Sequence, residues 1–475
     1  MSPLPQAPPE QSVPTLSAEL FSIPLENGRY LVYAPLRRAA FVANSTVVNY
    51  LAGLRGGTPD TRLDPDGTLR DFLARLEIVD AGPETPPIST FSGDPEPTSV
   101  TLFLTTTCNL RCTYCYASAG DTPRRFMSLE TAVRGIDFVA ANAARKGEAS
   151  FEVAYHGGGE PTVHWKVLTA SLAHARRTAA GLGLEVRAYS ATNGYLNDAQ
   201  IDWMVANLDG ASLSFDGLPE LHDANRPTTT GEGSSTRILH AIRRFDEAGF
   251  SYGIRVTVTH DQIALLPESI EFICRSSRAP RIQVEPAYQL GRWQNAPSAE
   301  TREFIAAYRE AQARAHRLGR ELTYSAARLD TLTNHFCGVT QDSFCLSPDG
   351  NVSGCYENFS EQNAWAGTFF YGRPDRERGG YRFDLPVLNQ LRGQTVENRA
   401  YCRGCFARWH CAGDCYHKAL TVNGTGEFAG SDRCHITREL TRDQILARIA
   451  RAGGLFWHEP PLAEAAPSAG KELLR

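Results

Sequence analysis

Twelve cysteines lie in this 475-residue chain, and eleven of them fall into groups with the spacing of metal ligands. The first group, Cys108-x3-Cys112-x2-Cys115, follows a short β-rich run, VTLFLTT. Three thiolates can occupy three irons of a [4Fe–4S] cube and leave the fourth iron open to chemistry, whereas three cysteines alone complete no structural zinc site. The remaining eight are Cys337, Cys345 and Cys355, then Cys402-x2-Cys405-x5-Cys411-x3-Cys415, and last Cys434. Eight thiolates make two four-thiolate sites, either two iron–sulfur clusters or two zincs. Cys274 stands apart in the apolar pattern SIEFICRSS and reads as a buried helix cysteine.

The C-x3-C-x-aromatic-C loop, with Tyr114 at the aromatic position, resembles that of the radical S-adenosylmethionine (SAM) superfamily. The resemblance implies that SAM chelates the open iron, and that an electron from the cluster releases a 5′-deoxyadenosyl radical, which abstracts a substrate hydrogen. Three further segments fit it. His156-Gly-Gly158-Gly159-Glu160-Pro161 is similar to the family's G-G-E-P motif. Glycines let the backbone approach a ligand, and the Glu160 carboxylate can accept from the SAM ammonium. Thr192-Asn193-Gly194 and Ser214-Phe-Asp216-Gly217 end later strands, and by resemblance Asn193, Ser214 and Asp216 contact SAM. Taken singly, each such segment is an ordinary turn. His222, Asp223 and Arg226 follow, where a helix cap or a surface ion pair is an equally good account.

The C-terminal cysteines resemble the SPASM extension of radical SAM peptide- and protein-modifying enzymes. That resemblance implies one auxiliary [4Fe–4S] cluster on Cys337, Cys345, Cys355 and Cys415 and another on Cys402, Cys405, Cys411 and Cys434, hence three clusters in all. Relatives of this kind include enzymes that modify ribosomally made peptides and anaerobic sulfatase maturases. In the latter an Asp base follows the equivalent of Cys355; here Tyr356 and Glu357 follow, and these are the candidate proton acceptors. The resemblance implies a precursor peptide with a leader as substrate and a flavodoxin or ferredoxin as reductant. Side-chain cross-linking is the favoured reaction, with formylglycine formation, or a non-catalytic iron–sulfur protein, as alternatives.

These residues need elements to position them. From residue 99 to about 320, six strand-like runs alternate with helical patterns, as in SLETAVRGIDFVAANAARK, where Ser128 and Glu130 suit a first turn. Alternation implies a parallel sheet with its active end at the C-terminal strand ends, where the cysteine loop sits. Six such units can make a partly closed barrel or an open doubly wound sheet; the resemblance implies the α/β class as a partial (β/α)6 barrel, with a winged-helix-like α+β unit before it and a cysteine-rich module after it. The unit before it, with LENGRYLVYAPLRRAAFVANSTVVNYLAGL, is similar to PqqD-type leader-binding domains, which capture a peptide as an added strand; a structural cap is the alternative. The expected division is a disordered leader (1–15), a peptide-binding unit (16–82), a Pro-rich linker (83–98), the core (99–325), the cysteine-rich module (326–455) and a tail (456–475). A net charge of −5 argues against nucleic acid, and the lack of a long apolar run or export signal points to a cytoplasmic, membrane-free protein.

Overall fold

The computed structural model describes residues 15–459 apart from 59, 297–299, 378 and 425. Three strands, β1 (Phe21–Pro24), β2 (Tyr30–Ala34) and β3 (Ala39–Ala43), pair antiparallel before the helices Ser45–Arg55 and Thr68–Arg75. Because side chains alternate along a strand, this small sheet has two apolar faces. Val32, Ala34, Ala39 and Phe41 pack on the two helices. Leu31, Tyr33 and Ala40 face Phe406, Ile445 and Ile449 of the C-terminal module.

The six expected strands follow: β4 (Ser99–Leu102), β5 (Ser150–Tyr155), β6 (Glu185–Thr192), β7 (Gly210–Ser214), β8 (Tyr252–Val258) and β9 (Arg281–Pro286). All pair parallel with their neighbours, and a helix covers each crossover. Ser128 caps the first of these helices, accepting from the Thr131 N–H at 3.0 Å. In β8 the buried residues Tyr252, Ile254, Val256 and Val258 join the helix-facing core. Gly253, Arg255 and Thr257 alternate with them and stay half-buried on the enclosed face. A seventh parallel strand, β10 (Glu321–Thr323), extends the β9 edge.

The cysteine-rich module, expected to stand apart, continues the same sheet. Its first strand, β11 (Cys345–Leu346), pairs parallel with β4, and β12 (Val352–Ser353), β13 (Phe370–Pro374) and β14 (Tyr381–Phe383) follow antiparallel. Eleven strands result, in the order β10-β9-β8-β7-β6-β5-β4-β11-β12-β13-β14, and its two ends do not pair among the described residues. The barrel is therefore open.

The chain's last described segment also departs from expectation. Where a tail was expected from residue 456, β15 (Phe456–His458) pairs antiparallel with β3 and covers that edge, with Trp457 3% exposed between the small sheet and the module. Among the described residues β1 and β15 are then the two edge strands of the small sheet. The 83–98 segment is fastened rather than loose: Asn334 Oδ1 accepts from the Ser89 N–H at 3.2 Å, and Arg392 donates to the Gly93 carbonyl at 2.9 Å. Residues 1–14 and 460–475, expected to be disordered, lie outside the described residues. No helix among the described residues is long and apolar enough to cross a membrane.

Candidate functional site

The first cysteine loop leaves the C-terminal end of β4 and is gripped from two sides. Arg111 N–H donates to the Pro227 carbonyl at 2.7 Å and Thr113 N–H to that of Asn225 at 2.8 Å. From the β9 side, Arg292 donates to the Cys112 carbonyl at 2.9 Å, and Gly291, at φ 53°, lies so close that a Cβ there would stand 2.7 Å from the Tyr116 carbonyl carbon. Cys108, Cys112 and Cys115 are all half-buried. Burial, with Glu160 and the neighbouring thiols adding, pushes the Cys108 thiol up to about 12. Burial likewise lifts Cys112 to about 11 against the pull of Arg226. Thiols that oppose each other's ionisation in a low-dielectric loop fit a group that brings its own positive charge. Asn193 Nδ2 lies 3.6 Å from Cys108 Sγ and Arg226 4.0 Å from Cys112 Sγ, so donors already face the sulfurs.

The Gly-rich segment serves the same loop. Gly159 N–H donates to the Thr105 carbonyl at 2.8 Å and Glu160 N–H to that of Thr107 at 3.0 Å. A Cβ on Gly159 would sit 2.7 Å from Thr107 backbone atoms, and one on Gly158 3.0 Å from the Thr105 oxygen. The missing side chains thus admit the chain's own cysteine loop. Glu160 is buried, and one oxygen takes three donors: Thr162 N–H (3.2 Å), Thr162 Oγ1 (2.8 Å) and Thr192 Oγ1 (2.8 Å). The other accepts from Asn193 N–H at 2.8 Å, which leaves it one acceptor position for a ligand.

Asp216 and Tyr114 form a buried group behind Cys112. Tyr114 Oη donates to Asp216, Arg226 holds Asp216 through Nε at 3.0 Å and Nη2 at 3.3 Å, and the guanidinium lies 5.1 Å above the Tyr114 ring. Burial alone would raise the Asp216 carboxyl, but Arg226 and then His222 hold it below its usual range. Ser214 ends β7 half-buried, in register with Arg255 of β8. His222 accepts the Asp216 N–H at 3.2 Å and meets Ser234 Oγ at 3.1 Å. Asp223 accepts from the Ser234 and Ser235 N–H groups at the start of the helix Ser235–Ala248. The cap account holds through Asp223, whereas the surface ion pair is replaced by the buried Arg226–Asp216 pair.

The C-terminal thiols separate into two neighbourhoods. Burial first, then Glu357, Cys415 and Cys337, raise Cys355 well above the usual thiol range. Cys345 lies on β11 opposite Ser353, two residues before Cys355. Burial pushes Cys402 up to about 12, with Cys405 and Cys434 adding, and Cys411 is raised with Cys434 and Cys405 as neighbours. No three His, Cys, Asp or Glu side chains among the described residues close on a single-ion point. A cube of four irons spaces its thiolates more widely than one zinc does. Cys274 is buried in the apolar core, as expected.

Tyr356 and Glu357 face the barrel mouth. The Tyr356 ring centroid is 4.9 Å from that of His156. Glu357 meets His417 Nδ1 at 2.5 Å; burial would raise its carboxyl, but Lys418 and His417 hold it down at about 2. Such a carboxylate is a weak proton acceptor. Arg255, Arg292, Lys418 and Arg433 were not marked by any motif; they come from β8, the turn after β9 and two helices of the C-terminal module. Arg433 donates to Asp414 at 2.5 Å and to Glu285 at 3.0 Å, and Lys418 Nζ sits 3.9 Å from the Tyr288 ring centroid.

Parallel strands with Cys108, Cys112 and Cys115 after the C-terminal end of β4 define a class of protein, and residues 102–273 match the Radical SAM superfamily. The chain carries a radical SAM domain. It is 29% identical over 195 residues to the Fe-coproporphyrin III synthase of Methanosarcina barkeri, covering 40% of this chain and 44% of that one. It is 30% identical over 197 residues to the mycofactocin maturase MftC of Mycolicibacterium smegmatis (39% and 44%). With the serine-type anaerobic sulfatase-maturating enzyme of Klebsiella aerogenes it shares 24% over 324 residues (65% and 76%). The chain spans about half the length of the first curated relatives it matches. Among solved structures, anSMEcpe with bound AdoMet superposes with TM-score 0.59 at 16% identity (76% of this chain, 96% of that one). Streptococcus suis SuiB bound to precursor peptide SuiA gives 0.50 at 14% (88% and 99%). Both share the fold.

Proposed function

We propose that this protein modifies a ribosomally made precursor peptide by radical SAM chemistry and installs a side-chain cross-link. The observation that carries the reading is the segment set against the cysteine loop: the Tyr356 ring lies 4.9 Å from that of His156, just after β5, and packs in one cluster with Cys108, Cys115 and Tyr116. In this reading Cys108, Cys112 and Cys115 hold the SAM-binding [4Fe–4S] cluster; Cys337, Cys345, Cys355 and Cys415 hold one auxiliary cluster, and Cys402, Cys405, Cys411 and Cys434 the other. The two thiol neighbourhoods support that partition. When bound, the first cluster and SAM supply a radical that removes a hydrogen from the substrate.

The chain's own residues do the positioning. Glu160 and Asn193 hold the strand ends and offer acceptor and donor atoms for the amino-acid part of SAM. Tyr114, Asp216 and Arg226 stiffen the ground behind Cys112, and Tyr356 and Glu357 face the reacting peptide. A leader strand would add at an edge of the small sheet, β1 or β15. MftC is a mycofactocin maturase, and SuiB is seen with a precursor peptide. A flavodoxin or ferredoxin would supply electrons.

A second reading, formylglycine formation, is favoured by the length of the match to the Klebsiella enzyme. Tyr356 in place of an Asp, and a Glu357 already committed to His417, stand against it. Coexpression with small peptides encoded beside the gene, followed by mass spectrometry, separates the two. A cross-link removes two hydrogens and ties two fragments together; a product carrying an aldehyde at one Cys or Ser would replace the first reading by the second.

A further inference from the structure

Asn358 is 0% exposed, and neither Nδ2 nor Oδ1 of its amide meets a hydrogen-bond partner among the described residues. Its backbone closes a turn on a cysteine of the first C-terminal group: the Asn358 N–H donates to the Cys355 carbonyl at 3.1 Å, across Tyr356 and Glu357. The two ends of such a turn lie within about 7 Å of each other, so Asn358 and Cys355 start from neighbouring backbone in the same buried ground. The polar groups around the turn are engaged already. Ser353 Oγ accepts from the Cys355 N–H at 3.2 Å and donates to its carbonyl at 3.1 Å, and Glu357 is held by His417 at 2.5 Å. On the far side of Asn358, Phe359 packs in one cluster with Cys345.

A buried amide orphaned at both ends is rare and costly. What answers it does not arrive from solvent, since no surface of Asn358 is open to a peptide or to SAM. A cube held by Cys337, Cys345, Cys355 and Cys415 needs no such path, and its sulfurs only accept. The amide can turn its NH2 toward them and leave the carbonyl oxygen alone unmatched. The orphaned donor therefore fits an iron–sulfur cluster at this place. We propose that Asn358 Nδ2 donates a hydrogen bond to a sulfur of the auxiliary cluster on Cys355 and so raises that cluster's reduction potential. Hydrogen bonds to the sulfurs set such potentials, because they favour the more negative, reduced cube. The inference rests on the partition of the C-terminal thiols proposed above.

The test uses the full chain carrying Cys112→Ala, reconstituted anaerobically so that only the two auxiliary clusters remain, and titrated electrochemically while EPR counts reduced cubes. Asn358→Leu, added to that parent, keeps the side chain's size and removes its donor. One of the two midpoints should fall and the other should hold. The expected fall is about tenfold in the ratio of reduced to oxidised cube, which is 59 mV for a one-electron couple. A second measurement needs no change at Asn358: the parent labelled with 15N-asparagine should show a 15N coupling to a reduced cluster in pulsed EPR. That coupling decides the matter if Asn358→Leu loses iron. Two unmoved midpoints in Asn358→Leu with iron retained, or no asparagine nitrogen coupled in the labelled parent, overturns the assignment alone. If the parent holds no reducible cubes, the auxiliary-cluster reading falls and takes this inference with it.

Discussion

Replacing Gly159 by alanine tests whether the Gly-rich segment exists to admit the cysteine loop. The new Cβ would stand 2.7 Å from Thr107 backbone atoms, roughly 1 Å inside the ~3.5–4.0 Å separation of non-bonded carbons. Backbone must yield on one side. Glu160 N–H bonds the Thr107 carbonyl at 3.0 Å, so a shift there carries Cys108 with it. Overpacking of this kind costs about 1–3 kcal/mol. A displacement of ~1 Å between reacting groups costs about a hundredfold in rate. The assay is 5′-deoxyadenosine formation by anaerobically reconstituted enzyme, alongside thermal melting and bound iron. Gly181→Ala is the control: nothing lies within 4 Å of its Cβ, and in a helix the change should stabilise by up to about 1 kcal/mol. Gly159→Ala with wild-type melting and wild-type SAM cleavage would refute the steric argument.

The thiol partition predicts a pattern of iron loss. Cys355→Ala and Cys415→Ala should each lose one cluster's iron, and the pair together no more than either alone, whereas Cys355→Ala with Cys411→Ala should lose two clusters' worth. His222 is buried and its imidazole is held down at about 4, burial being the main cause. Between that value and the ~6.5 of an unfolded histidine, the unfolded chain binds a proton the folded one refuses, so stability falls as pH drops through this window, by on the order of 3 kcal/mol. In denaturant titrations from pH 7 to pH 4, His222→Gln should flatten that dependence. Trp457→Ala should cost about 3–5 kcal/mol and free the small sheet from the module, seen as earlier proteolysis within residues 15–82; unchanged melting and cleavage would mean that β15 is dispensable.

Much of this was legible because the signals are local. A helix cap at Ser128, the period of two in β8 and the three-residue gap between Cys108 and Cys112 all act within one turn or strand. What could not be read is pairing at a distance. Nothing in Cys345–Leu346 announces that it extends the sheet beside β4, and nothing in Phe456–His458 marks it as the fourth strand of a sheet begun more than 400 residues earlier. The site divides the same way. The Gly-rich motif was visible, but its steric purpose needed the Thr105–Thr107 backbone beside it.

Cys108, Cys112 and Cys115 are proposed to hold a cluster that cleaves SAM. The most direct measurement is 5′-deoxyadenosine produced by the anaerobically reconstituted, dithionite-reduced protein, compared with Cys112→Ala. The account predicts turnover in wild type and none in the variant, whose eight C-terminal cysteines still bind iron. No 5′-deoxyadenosine from wild type carrying a full complement of iron would contradict it and leave a non-catalytic iron–sulfur protein.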